Sequence, residues 1–138
     1  METLEIIEYL NSQWPPAVKT LDGKAIKFDI TKQSLEMSNF IANQNFCHSI
    51  DVVQGGYISA MLDAVMAYTV IGLPDVRTMV STLELKTSYI SIGHPGLMIG
   101  KGMITKLGKS IVFLNGELFQ NNNLIATATS TAKILYKK

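Results

Sequence analysis

The sequence runs to 138 residues, enough to bury a substantial core and too few for two independently packed units, so residues 1–138 are read as a single domain. Apolar residues make up 47% and charged residues only 17%, a balance that implies apolar surface covered by a second copy of the chain. The formal net charge is +1 with both signs scattered, which offers no electrostatic footprint for nucleic acid and no polybasic patch for a membrane.

Cys47 is the only cysteine, so no intrachain disulfide can form and a reducing compartment is expected. No helix start or cationic cluster adjoins it in sequence, and it reads as a plain buried thiol. Glu2, Glu5 and Glu8 make the start acidic, the opposite of a basic export signal, and the expectation is a soluble cytoplasmic protein. No His, Cys, Asp or Glu cluster has metal-ligand spacing, so neither a metal nor a separate cofactor is expected.

In chain order, Leu4, Ile7, Leu10 and Trp14 recur at helical spacing and predict a short amphipathic helix over Glu2–Trp14, ended by Pro15 and Pro16. Alternation then predicts two strands joined at Thr31–Gln33. In the first, Ala25, Lys27 and Asp29 alternate with Ile26, Phe28 and Ile30; in the second, Leu35, Met37 and Asn39 alternate with Glu36, Ser38 and Phe40. Residues 41–53 show no period and read as a loop carrying His48 and Asp51.

The stretch Asp51–Leu73 comes next. From Tyr57 to Ile71 apolar residues occupy almost every angular position, which predicts a helix enclosed on all sides. Asp63 interrupts it, stacked with Ser59 four residues earlier on one side, above Gly55 and Gly56. An ionised carboxylate sunk in an apolar body costs several kcal/mol unless it is paired or solvated. Asp63 therefore either bonds a fixed structural partner or lines a cavity. Gly72, Pro74 and Asp75 stop the helix.

The remainder is β-patterned. A strand over Thr78–Ile90 places Leu83 and Leu85 on one face and Thr82, Glu84 and Lys86 on the other; Gly93, His94, Pro95 and Gly96 break it, and His94 reads as structural. Strands over Leu97–Thr105, Ser110–Gln120 and Leu124–Tyr136 complete an antiparallel meander with turns at Lys106–Gly108 and Asn121–Asn123. In the last strand Ala126, Ala128, Ser130 and Ala132 form a row of small side chains, expected to lie against the helix, with a threonine row on the other face.

Two strands, a long helix opened by Gly-Gly and four antiparallel strands make an α+β layout in which a sheet of about six strands wraps one helix, with a short helix ahead of it. This resembles the hotdog fold. Within that fold, Gln54-Gly55-Gly56 followed by Ala60-Met61-Leu62-Asp63 resembles the His-Gly-Gly helix start and in-helix Asp of acyl-CoA thioesterases of the phenylacetyl-CoA thioesterase (PaaI-like) type. Thr82-Leu83-Glu84-Leu85 with Tyr89, Gly108-Lys109-Ser110 and Ala126-Thr127-Ala128 extend the resemblance, which spans roughly residues 40–134. Gln54 stands where the family usually has His, and His48 where it often has Asn.

The resemblance implies a hydrolase acting on a small or aromatic/medium-chain acyl-CoA, with coenzyme A entering only as part of the substrate. Thioester hydrolysis needs donors aimed at the developing oxyanion and a carboxylate that attacks the carbonyl or activates water. The amides of Gly55 and Gly56, at the positive end of the helix, fit the first role. Asp63 fits the second, with Thr82 orienting water and Gln54, His48, Ser59 and Lys109 binding substrate. Eight residues of helix separate Gly55 from Asp63, about 12 Å, whereas reacting groups must lie within about 3.5 Å. A site shared between the two helices of a homodimer, itself able to pair into a homotetramer, resolves the mismatch. The alternatives are a non-catalytic acyl-CoA or acyl-carrier binding hotdog module, and a hydratase built around His48 or His94. Thr82 also reads as a β-branched strand filler, and His48 as an ordinary loop histidine.

Overall fold

The computed structural model describes residues 3–74 and 79–136. Helix α1 (Thr3–Asn11) ends before Trp14 and buries Ile6 and Leu10; of the stripe read from spacing only Leu10 is fully buried, Ile7 and Trp14 are half-buried and Leu4 is exposed, so the buried face is turned toward Ile6. Asn11 stops it by turning its amide to the first strand. Its Nδ2 donates to the Ala25 carbonyl at 3.0 Å and its Oδ1 accepts from the Ala25 amide at 2.9 Å. Pro16, expected to end a helix, instead opens a second one, α2 (Pro16–Thr20), where a missing amide costs nothing. Trp14 lies between them and meets Tyr68 edge-on at 4.7 Å between ring centroids. Burial pushes the Tyr68 phenol above its ordinary pKa. Glu2, Asp75 and Thr78 lie outside the described residues.

Strands β1 (Lys24–Asp29) and β2 (Ser34–Ala42) form a hairpin. The segment read as a loop contains a 3₁₀ turn over Gln44–Phe46 and a small ribbon of β3 (Cys47–Ser49) and β4 (Val52–Val53). Helix α3 (Gly55–Ile71) follows, then β5 (Met79–Tyr89), β6 (Gly96–Leu107), β7 (Ile111–Gln120) and β8 (Asn123–Leu135). Outside the ribbon, the six strands form one antiparallel sheet in the order β1-β2-β6-β7-β8-β5, wrapped around α3. This is the α+β hotdog arrangement. Asn121 and Asn122 make the β7–β8 turn with φ of 51° and 65°, a left-handed pair that asparagine tolerates.

Strict alternation fails where the strand register shifts, and three of these shifts decide which residues face the core. The register shifts between Ala25 and Lys27, so Ala25 and Phe28 both face the core while Ile26 is exposed. A second shift between Met37 and Phe40 turns Phe40 onto the same face as Leu35 and Met37. A third, between Thr82 and Glu84, leaves Leu83 58% exposed, so Leu83 and Leu85 do not share a buried face as alternation implies.

The enclosure expected of α3 is incomplete within one chain. Ile58, Met61, Leu62, Val65, Met66, Thr69 and Val70 are buried, but Ser59, Ala60, Asp63, Ala64 and Ala67 on the far side are only partly covered. The predicted small row does face inward, with Ala126, Ala128, Ser130 and Ala132 all buried. A tight approach to the helix falls on β6, which spacing alone did not single out. A Cβ on Gly102 would sit 2.7 Å from the Val65 carbonyl oxygen and would also strike the Thr69 hydroxyl. That hydroxyl is committed to the Val65 carbonyl at 2.6 Å.

Gly102→Ala must push α3 off the sheet. The expected cost is about 1–3 kcal/mol, read by urea denaturation. Ala at the exposed neighbour Lys101 should change stability by less than about 0.5 kcal/mol.

Candidate active site

The helix start is positioned from three directions. Gln54, extended at φ −64° and ψ 139°, is the N-cap without a side-chain cap. Its amide donates to the Phe46 carbonyl at 2.8 Å, and the Val53 amide donates to the Gly93 carbonyl at 2.9 Å. The ring of Phe46 stacks on Tyr57 of the first helical turn, 4.3 Å between centroids and 7° from parallel. His94 reinforces the joint as a structural residue: its Nδ1 donates to the Asp51 carbonyl at 2.7 Å, and its backbone exchanges bonds with the Gln120 side chain at 2.9 and 2.7 Å.

Among the described residues, no acceptor takes the amides of Gly55 and Gly56, the first two helical positions. The glycines serve different ends. A Cβ on Gly55 would lie 2.9 Å from the Tyr89 ring, so Gly55 is glycine because an aromatic wall stands against it. A Cβ on Gly56 would meet nothing nearer than the Gln54 amide nitrogen at 3.8 Å, so that side is open to an incoming group.

Asp63 lies in the seam between α3 and β5, partly buried, and its Oδ1 accepts from Thr82 Oγ1 at 2.7 Å. The sequence expectation of a carboxylate sunk in an enclosed helix is corrected. Asp63 occupies the flank of α3 that the sheet leaves half-open, where solvent offsets the cost of its charge. Among the described residues no cation pairs with it.

One turn nearer the helix start, Ser59 Oγ lies 2.9 Å from Thr87 Oγ1 and 2.7 Å from the Tyr89 hydroxyl, which in turn donates to the Gly55 carbonyl at 3.0 Å. Thr87 had no sequence signal, and Tyr89 entered only through the resemblance. Their alternation on β5 was visible; that β5 runs along α3 with Thr82 opposite Asp63 and Tyr89 opposite Gly55 was not.

Other candidates stand apart. Gln54 and His48 are exposed, and neither side chain makes a hydrogen bond or ion pair among the described residues. Cys47 is half-buried, its thiol 3.7 Å from the Asn43 carbonyl. Lys109 sits in the β6–β7 turn, where the Ile134 amide meets the Ser110 carbonyl, at the end of the sheet away from Tyr89 and Gly55. A cleft of about 310 Å³ lies on the sheet face turned from α3, lined by Lys27, Glu36, Lys101 and Glu117, and includes none of these residues. No group of His, Cys, Asp and Glu among the described residues could hold a metal ion, and no described helix is long and apolar enough to cross a membrane.

Comparison with known proteins bears on the segment that carries these groups. The family model described as the thioesterase superfamily matches residues 51–126, the segment that holds α3, β5 and every side chain of the seam between them. The chain belongs to the thioesterase superfamily. Thioester hydrolysis is the chemistry that membership assigns to it. A phenylacetic acid degradation-related protein from Ralstonia eutropha JMP134 is similar at 33% identity and TM-score 0.84, over 88% of this chain and 92% of that one. The PaaI protein from the phenylacetic acid degradation operon of E. coli shares the fold at 12% identity and TM-score 0.80, over 94% and 91% of the two chains. The acetyl-CoA-bound protein smu.793 of Streptococcus mutans UA159 does so at 18% identity and TM-score 0.72, over 84% and 90%. No curated protein matches the sequence.

The two glycines should respond differently to alanine. Gly55→Ala is expected to cost about 1–3 kcal/mol through collision with the Tyr89 ring. Gly56→Ala should be neutral or stabilising by up to about 1 kcal/mol, since the space is open and helical alanine is favoured. Thermal unfolding of the two variants side by side checks this.

Proposed function

We propose that the protein is an acyl-CoA thioesterase acting on small or aromatic/medium-chain acyl groups at a site shared between two subunits. The observation that carries the reading is the separation within one continuous helix. Asp63, paired with Thr82, lies eight residues beyond Gly55 and seven beyond Gly56, about 10–12 Å along the helix and too far for the carboxylate and the free amides to act on one carbonyl carbon. Two antiparallel helices would bring the amides of one protomer to the partner subunit's Asp63.

The open edge of β5 supports such a dimer. Its outer edge pairs with no strand among the described residues, and Met79 and Leu83 on β5 are 57% and 58% exposed. The half-covered Ala60, Ala64 and Ala67 side of α3 offers further small-residue surface for a second copy, and pairing of dimers into a tetramer would cover more.

In the proposed reaction the Gly55 amide, with Gly56 beside it, donates to the thioester carbonyl oxygen and stabilises the oxyanion as the carbon becomes tetrahedral. Asp63 either removes a proton from water, which then attacks, or attacks itself and is released by water. The hydroxyl of Thr82, already donating to Oδ1, fixes the carboxylate and keeps lone pairs free to hold that water. In the first route the C–S bond breaks as Asp63 passes the proton taken from water to the departing sulfur; in the second, coenzyme A leaves as the thiolate when Asp63 attacks, and water then hydrolyses the acyl–Asp63 anhydride to release the acid and restore the carboxylate. Lys86, Lys101, Lys106 and Lys109 are candidate cations for its phosphates.

Asp63→Ala and Asp63→Asn are each expected to lower kcat about 100-fold or more across a panel of acyl-CoAs, followed by release of free thiol. Unchanged turnover in both variants removes Asp63 from the reaction. Mixed dimers of Asp63→Ala with a Gly55-impaired protein should regain part of the lost activity; confirmed heterodimers that stay inactive exclude the shared site. The unbonded side chain of Gln54, where the resemblance expects histidine, favours one second reading, a binding module without hydrolysis. Heat protection by acyl-CoA with no thiol release would identify it.

A further inference from the structure

Three hydroxyls lie in contact along the seam between α3 and β5, and their order fixes which way each proton points. A carbonyl oxygen only accepts, so the Tyr89 hydroxyl spends its single proton on Gly55, 3.0 Å away. The Tyr89 oxygen is then an acceptor toward Ser59, 2.7 Å away, and Ser59 spends its proton there. The Ser59 oxygen in turn accepts from Thr87 at 2.9 Å. The result is a one-way chain, Thr87 to Ser59 to Tyr89, ending on the Gly55 carbonyl. Such chains strengthen their terminal bond, because each donor is polarised by the one behind it.

That carbonyl belongs to the same peptide group as the Gly56 amide. A donor placed on the oxygen of a peptide draws electron density from its nitrogen and makes the N–H on the opposite side a stronger donor. The Gly56 amide has no acceptor among the described residues, and its Cα faces open space. The Tyr89 ring also stands 2.9 Å from where a Gly55 Cβ would be, so the peptide is braced as well as polarised.

We propose that Thr87, Ser59 and Tyr89 form a hydroxyl relay that holds and polarises the Gly55–Gly56 peptide, making the Gly56 amide an oxyanion donor beside Gly55. Tyr89 and Ser59 are positioning residues, acting on the substrate through that peptide. The kinetic part rests on the thioesterase reading; the polarisation does not.

Tyr89→Phe keeps the ring and removes the hydroxyl. With phenylacetyl-CoA and acetyl-CoA as substrates, kcat should fall about five- to tenfold while KM stays within about twofold. Ser59→Ala and Thr87→Val should lower kcat by smaller factors. The Ser59→Ala/Tyr89→Phe pair should cost little more than Tyr89→Phe alone, since both act through one bond. In amide proton spectra of the substrate-free protein, the Gly56 resonance should move upfield in all three single variants, a signature that loss of packing alone does not give. A Gly56 resonance unmoved by Tyr89→Phe, or by both other variants if that one does not fold, overturns the relay whether or not any acyl-CoA is hydrolysed. A shifted resonance with wild-type kcat overturns its part in the reaction. A wild-type protein that releases no thiol, with the shift present, fails the thioesterase reading alone.

Discussion

The close approach of α3 to the strands beneath it is the constraint on which the rest depends. Gly102 leaves no room for a side chain between β6 and the Val65 carbonyl, and on β8 the buried row Ala126, Ala128, Ser130 and Ala132 presents only small side chains. With the helix seated this deep, its buried residues fill the concave side of the sheet and its polar residues are displaced to the flanks. Asp63 and Ser59 come to the flank beside β5, where Thr82, Thr87 and Tyr89 meet them. A shallower helix would carry the same residues out of reach of those hydroxyls.

Most of the architecture was legible because it follows from periods. The order of strands and helix, the helix limits near Gly55 and Ile71, and the inward small row all rest on spacings of two or of three to four. The failures were local. Bulges at Ala25/Lys27, Met37/Phe40 and Thr82/Glu84 each insert a residue that inverts the facing of the next stretch of strand, and no residue type marks them. Pro16 was misread because proline stops a helix from within yet suits its first turn, and only Asn11, bonded to Ala25, shows where the earlier helix ends.

The candidate site was legible in its helical half. Gly55, Gly56, Ser59 and Asp63 lie on one segment, so their spacing could be converted to distance before any tertiary structure was known. Thr82 was placed through the resemblance and does meet Asp63. The β5 contributions of Thr87 and Tyr89 depend on how strand and helix slide past one another, a long-range register that sequence spacing does not encode. His48, Gln54 and Lys109, grouped by motif, are not brought to the Asp63–Thr82 pair within one chain.

The tie between the β5–β6 loop and the helix start bears on this last point in another way. His94, Gln120, Asp51, Gly93 and Val53 are joined by bonds spanning up to 43 residues of sequence, and together they clamp the segment just ahead of Gln54. These bonds fix the approach of the chain to the helix start from both the β5–β6 loop and the end of β7. In the proposed reaction, dipoles held in this way are aimed before anything binds, so the reorganisation that water would undergo around a forming oxyanion is completed during folding.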